Sequence, residues 1–129
     1  MVIDDRHRNA VRDFITDREC ARREETAVLL QQARIDFART VAMIVERYQP
    51  HEIWQWGSLI HPETFTAGSD IDIGLVGVSV RDHMTILRET EGTTCLPLHI
   101  ARMEEIASGT IQLIYNWGRK VYPENEDNG

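Results

Sequence analysis

Asp70 and Asp72 stand one residue apart in the segment Asp70-Ile71-Asp72-Ile73-Gly74-Leu75-Val76-Gly77-Val78. The alternation predicts a strand over 70–78, with Asp70, Asp72, Gly74 and Val76 on one face and Ile71, Ile73 and Leu75 on the other. The strand rise puts the two carboxylate-bearing Cβ atoms roughly 6–7 Å apart. A pair so placed can share Mg²⁺, whose hard octahedral shell prefers carboxylate and phosphate oxygens. A nucleoside triphosphate would complete that shell. The metal would then neutralise charge at the α-phosphorus and hold the attacking and leaving oxygens in line. The protein's remaining task would be to position and to stabilise.

Eleven residues separate Gly57-Ser58 from Asp70, and the pair directly follows the aromatic and β-branched stretch Ile53-Trp54-Gln55-Trp56, which predicts a short strand. A glycine lets the backbone approach a ligand closely. Exposed N–H groups in such a turn, with the Ser58 hydroxyl, suit the β- and γ-phosphates. Pro62 disfavours helix at His61, so a turn or one short helical turn is expected, followed by a loop over 63–68. Ser69 is expected to orient Asp70 by hydrogen bonding. Trp54 and Trp56 flank this region; one could serve as a platform for a base, but packing in the core is the stronger expectation. His51 and His61 read as surface loop residues. Cys95 reads as a small buried apolar side chain.

These residues need elements to hold them. Leu30, Ala33, Phe37, Val41, Ile44 and Tyr48 recur at steps of three or four and predict a helix over 26–48 with one buried face, ended by Pro50. The stretch before it, 4–25, has no glycine or proline and reads as a solvated helical extension, with Ala10, Val11, Phe14 and Ile15 as a weak apolar stripe that could instead face a partner. Ser79 with Asp82 three residues on predicts the start of a helix that Gly92 stops. A third strand is expected over 95–101, irregular or at an edge because of Pro97. A helical stretch over 103–117, interrupted at Ser108-Gly109 and closed by Gly118, precedes a last strand at Lys120-Val121-Tyr122. The fold class is therefore α/β (α+β), a small mixed sheet packed against helices. It divides into a helical extension over 1–25, a domain over 26–122 and a polar tail over 123–129.

Composition narrows the partners. With 129 residues, 42% hydrophobic and 27% charged, the chain fits one ordinary globular core. No apolar run approaches the roughly 20 residues that span a bilayer, and the charged start Met1-Val2-Ile3-Asp4-Asp5-Arg6 does not resemble a signal peptide. A cytoplasmic location without membrane contact is expected. A net charge of −7 argues against nucleic acid as a main partner. Cys20 and Cys95 lack metal-ligand spacing and are expected as free thiols.

Gly57-Ser58 followed by Ser69-Asp70-Ile71-Asp72-Ile73 resembles the signature of the DNA polymerase beta-like nucleotidyltransferase superfamily, and in particular its small members, the minimal nucleotidyltransferases. The resemblance covers about 30–122, and the ending Asn116-Trp117-Gly118-Arg119-Lys120-Val121-Tyr122 is similar to the family's closing segment. It implies transfer of a nucleoside monophosphate, AMP above all, from ATP or another nucleoside triphosphate with Mg²⁺. It assigns Asp70 and Asp72 to the metal and to catalysis, and Gly57, Ser58 and Ser69 to the nucleotide. Small members often pair with a helical HEPN-type protein as toxin and antitoxin, so such a partner is implied, with a second copy of the chain as another.

The chain departs from the family pattern on the third strand. A third carboxylate is usual there, and His99 stands at the matching position. Neutral imidazole suits a base near pH 7 but is a poor Mg²⁺ ligand. His99 then takes the base role alone, or Glu104 substitutes as the acid, or catalysis is lost. The alternative reading is thus a catalytically degenerate member that acts as a binding partner or antitoxin. A third reading, in which the charged N-terminal helices form a dimer, makes it an interaction protein. With so short a chain, the acceptor site must be completed by a partner, a second copy or the acceptor itself.

Overall fold

The computed structural model describes residues 5–124, with side chains from Ala10 onward. Of the polar tail expected over 123–129, Pro123 and Glu124 are described and exposed; the rest of it, and Met1 to Asp4, lie outside the described residues.

The first element is one helix, α1, Asp5–Tyr48, of 44 residues. A helical first half was expected, although the charge-rich first part carries few apolar residues. No glycine or proline interrupts the stretch, so nothing in the backbone forces a break. Every residue from Ala10 to Glu25 is exposed, Val11, Phe14 and Ile15 included, and Thr26 is the first to be half-buried. Gln49, at a φ of +47°, and Pro50 end the helix. The expected apolar face is the one that packs: Ala33, Phe37 and Ile44 are buried, with Leu30, Val41 and Tyr48 against them.

Four strands follow: β1, Glu52–Trp56; β2, Ile71–Val76; β3, Leu98–Arg102; and β4, Arg119–Tyr122. They form one mixed sheet in the order β3-β2-β1-β4. β1 runs antiparallel to β2 and β4, while β2 and β3 are parallel. The parallel pair needs a crossover, supplied by helix α2, Val80–Thr90, whose first turn Ser79 caps by accepting from the Asp82 N–H at 3.0 Å. β3 starts at Leu98 rather than Cys95, because Pro97 has no N–H to give; its carbonyl accepts from Ile71 instead. β3 lies at the edge, as a proline there requires. Helix α3, Ser108–Trp117, follows a short 3₁₀ turn, Met103–Glu105. The interruption thus falls just before Ser108 rather than within Ser108-Gly109.

The sheet has two unlike faces. Ile53, Ile71, Ile73, Leu75 and Ile100 point to α1 and α2 and make the core with Ile44 and Ile86. Burying each such side chain contributes roughly 1.5–3 kcal/mol before entropy is charged. Trp54, Trp56, Asp72, Gly74 and His99 point the other way. α3 reaches that second face only in part, where the Tyr115 ring meets Trp54 edge-on at 4.9 Å. Among the described residues, no helix is long and apolar enough to cross a membrane.

Candidate nucleotide and metal site

Register gathers the site from three strands. Trp56 of β1 pairs with Asp72 of β2, and Asp72 lies beside His99 of β3, so the three side chains form one row across the open face. Asp70 precedes β2 rather than belonging to it; it is exposed, and its charge is close enough to raise the Asp72 carboxyl. Gly57, just past the end of β1, sits at a φ of +86°. A Cβ on Gly57 would lie 2.5 Å from Asp72 Oδ2. Glycine is therefore needed there twice over, for the left-handed backbone and for the space that the carboxylate fills. The Gly57 carbonyl accepts from Ile60 N–H at 3.3 Å, closing a tight turn around Ser58.

Asp72 is mostly covered, with 20% of its side chain exposed, and Oδ1 lies 3.2 Å from His99 Nδ1. Burial raises the Asp72 carboxyl above its ordinary value, against the opposing pull of the His99 hydrogen bond. An ionised carboxylate only accepts, so Nδ1 carries the proton and donates. The His99 imidazole is 64% exposed, and in the neutral tautomer that donates from Nδ1 the lone pair is on Nε2. The Trp56 ring stands edge-on to His99 at 6.3 Å. It also lies over Gly74, where a Cβ would come 2.8 Å from Trp56 Cζ3 and 2.9 Å from Met103 Sδ. Trp54 and Trp56 are thus half-buried walls of this face rather than members of the core between sheet and α1.

Three expected roles change. Ser69 does not orient Asp70: its hydroxyl accepts from Thr66 N–H at 2.9 Å and ties the loop to itself. Glu104 cannot stand in for the third acid. Its Oε1 accepts from Gly77 N–H at 2.7 Å, and Gly77 lies five strand positions beyond Asp72, about 16 Å at the strand rise. Cys95 is exposed rather than buried, in the loop before β3. The histidines of the loops do more than face solvent. His51 packs under Gly77, and His61 Nε2 lies 3.2 Å from the Trp117 carbonyl, joining the loop after Gly57-Ser58 to the end of α3. β4 runs antiparallel to β1, so Trp117, with its exposed ring, stands at the same end of the sheet as Gly57. Trp117 stands at a helix end just before a strand, and the helical pattern of its neighbours gives no sign in the sequence that its ring is exposed there.

Among the described residues, no three or more His, Cys, Asp and Glu side chains gather as a metal cage. Mg²⁺ does not require one, since it commonly takes one or two carboxylates and completes its shell with phosphates and water. Asp70, exposed, and Asp72, close enough to feel its charge, are the two carboxylates of this site that could supply such oxygen donors.

Comparison with known proteins returns no match: no protein-family model, no curated protein and no solved structure is similar to this chain.

Proposed function

We propose that this protein is a nucleotidyltransferase that moves a nucleoside monophosphate, AMP in the first instance, from a triphosphate to an acceptor. The observation that carries the reading is the contact between Gly57 and Asp72. A left-handed glycine turn is pressed against a mostly covered carboxylate, with Asp70 beside it and an exposed imidazole on the far side. The resemblance of Gly57-Ser58 and Ser69-Asp70-Ile71-Asp72-Ile73 to the superfamily signature supports it independently.

Each residue has a task in this reading. Backbone N–H groups of the Gly57 turn and the Ser58 hydroxyl hold the β- and γ-phosphates. Asp70 and Asp72 hold Mg²⁺, which when bound supplies charge neutralisation at the phosphates. The acceptor's hydroxyl or amine attacks the α-phosphorus, the bond to the β-phosphate oxygen breaks, and pyrophosphate leaves. His99 Nε2 takes the acceptor's proton, while Asp72 keeps Nδ1 protonated and the ring in place. Trp56 and Trp117 are the aromatic surfaces nearest to where a base would lie. The acceptor comes from outside the chain, on a HEPN-like protein, on a second copy or on a small molecule.

One observation favours a second reading. Asp72 is engaged by His99, and His99 rather than an acid stands beside it on β3. The same turn could then bind a nucleotide or a partner without transfer, as a degenerate member would. Incubation of wild type with α-labelled ATP, Mg²⁺ and cell lysate separates the two. Transfer of label that disappears in Asp70→Asn/Asp72→Asn supports the enzyme. Nucleotide binding with no labelled product supports the degenerate reading. Equal labelling by the double variant would overturn both assignments of the carboxylates.

A further inference from the structure

On the opposite face of the sheet, a groove of about 450 Å³ runs between α1 and the edge strand β4. Its walls are apolar: Phe37 and Val41 of α1, Leu59 from the turn after β1, and Val121 of β4. Ala38 and Ala42, one helical turn apart, leave it open where larger side chains would close it. Its volume falls within the roughly 300–1,000 Å³ of small-molecule sites, which are mostly apolar with a few placed polar groups.

The polar groups are cationic or donating. Arg34 and Arg119 both line the groove, against one carboxylate, Glu124. That balance runs against a chain whose net charge is −7. Gln55, in the same lining, is only 3% exposed. Its Oε1 accepts from Arg119 Nη2 at 3.3 Å, which fixes the amide so that Nε2 is the free end. Among the described residues, Nε2 has no acceptor. It is not one of the sealed polar atoms left without a partner, so this end of the side chain opens to the groove, where a ligand oxygen can take the place of water. Arg34 is little engaged as well, with one long contact of 3.5 Å to the Leu59 carbonyl.

We propose that this groove binds an amphipathic carboxylate, its head on Gln55 Nε2, Arg34 and Arg119 and its apolar chain along Phe37, Val41 and Val121. The acceptor oxygens satisfy the unused amide, and two guanidinium groups supply charge-assisted hydrogen bonds, the strongest available to a carboxylate. An alcohol of equal length offers one acceptor and no charge, and an alkylammonium ion is repelled. The site is independent of the nucleotide reading, since it lies on the α1 side of the sheet and needs neither Asp70 nor Asp72.

Calorimetric titration of the full chain, without nucleotide, with octanoate, octanol and octylammonium tests it. Octanoate should saturate one site and bind about tenfold or more tightly than octanol, the scale of charge-assisted hydrogen bonds. Arg34→Ala/Arg119→Ala, at two exposed positions, should keep the fold by circular dichroism and lose that preference. Ala42→Phe should block octanoate by filling the groove. The Gln55 side-chain amide resonances should move with octanoate and not with octylammonium. Equal binding of the alcohol, no saturation with octanoate, or full octanoate affinity in the double arginine variant would each overturn the site.

Discussion

Among the described residues, two aspartates are largely withdrawn from water, and they are treated in opposite ways. Asp36, on the packed side of α1, is 2% exposed. It accepts from Gln32 Nε2 at 3.0 Å, Arg39 Nη2 at 3.0 Å and the Cys95 N–H at 2.9 Å. Burial works to raise its carboxyl, but these donors outweigh it and hold the group below its ordinary value. Asp72, on the open side of the sheet, has His99 as its hydrogen-bonded partner and is raised instead. Asp36 is saturated with donors and fastens the loop before β3 to α1. Asp72 keeps accepting capacity toward solvent, and the backbone in front of it is a glycine. The same residue type is a fastening where donors surround it and keeps free accepting capacity where they do not.

The largest effect should come from closing the space in front of Asp72. In Gly57→Ala, the added Cβ meets Oδ2 at 2.5 Å on a left-handed backbone, so the carboxylate or the turn must shift. Displacements on this scale cost about 100-fold in a positioned reaction. Initial-rate measurements of nucleotide transfer should show that loss; an unchanged rate would mean that the Gly57–Asp72 contact is irrelevant to function.

Removing the other aspartate should spare the chemistry and weaken the fold. Arg39 is 60% exposed, so the ion pair itself contributes little. The cost of Asp36→Ala is the unmet Cys95 N–H and the lost Gln32 bond, about 2–3 kcal/mol. Urea unfolding should report it, with specific activity of the folded fraction unchanged. A loss of activity without a loss of stability would break the contrast between the two acids.

The smallest effect is on pH dependence. Because the Asp36 carboxyl is held low in the folded chain, its contribution is complete above the ordinary carboxylate value of about 4. It fades as pH falls below that value, through the depressed one. Stability measured from pH 5 down to 2 should therefore fall less steeply in Asp36→Asn than in wild type. Parallel slopes would show that Asp36 is not held low.

The parts legible in the sequence were those fixed by local periodicity. Alternation at 70–78 placed Asp72 opposite Ile71 and Ile73, and the three-and-four spacing from Leu30 to Tyr48 found the packed face of α1. Ser79 and Pro97 marked a helix start and an edge strand, because their local chemistry leaves little choice. What could not be read depends on contacts far apart in the chain. Asp36 sits among core positions of a helix, and only the return of Cys95, 59 residues later, explains it. Glu104 was a reasonable substitute acid until the parallel pairing of β2 and β3 put it at the wrong end of the sheet. The groove on the α1 side joins Arg34, Gln55 and Arg119 from three elements, with no spacing to announce it.

The central claim is that Asp70 and Asp72 hold a metal–triphosphate beside the Gly57 turn. Titration of wild type and of Asp70→Asn/Asp72→Asn with a non-hydrolysable ATP analogue, with and without Mg²⁺, tests it most directly. The account expects saturable binding by wild type that requires Mg²⁺ and is lost in a double variant of unchanged secondary structure. Binding that is indifferent to Mg²⁺, or equal in the two proteins, would contradict it.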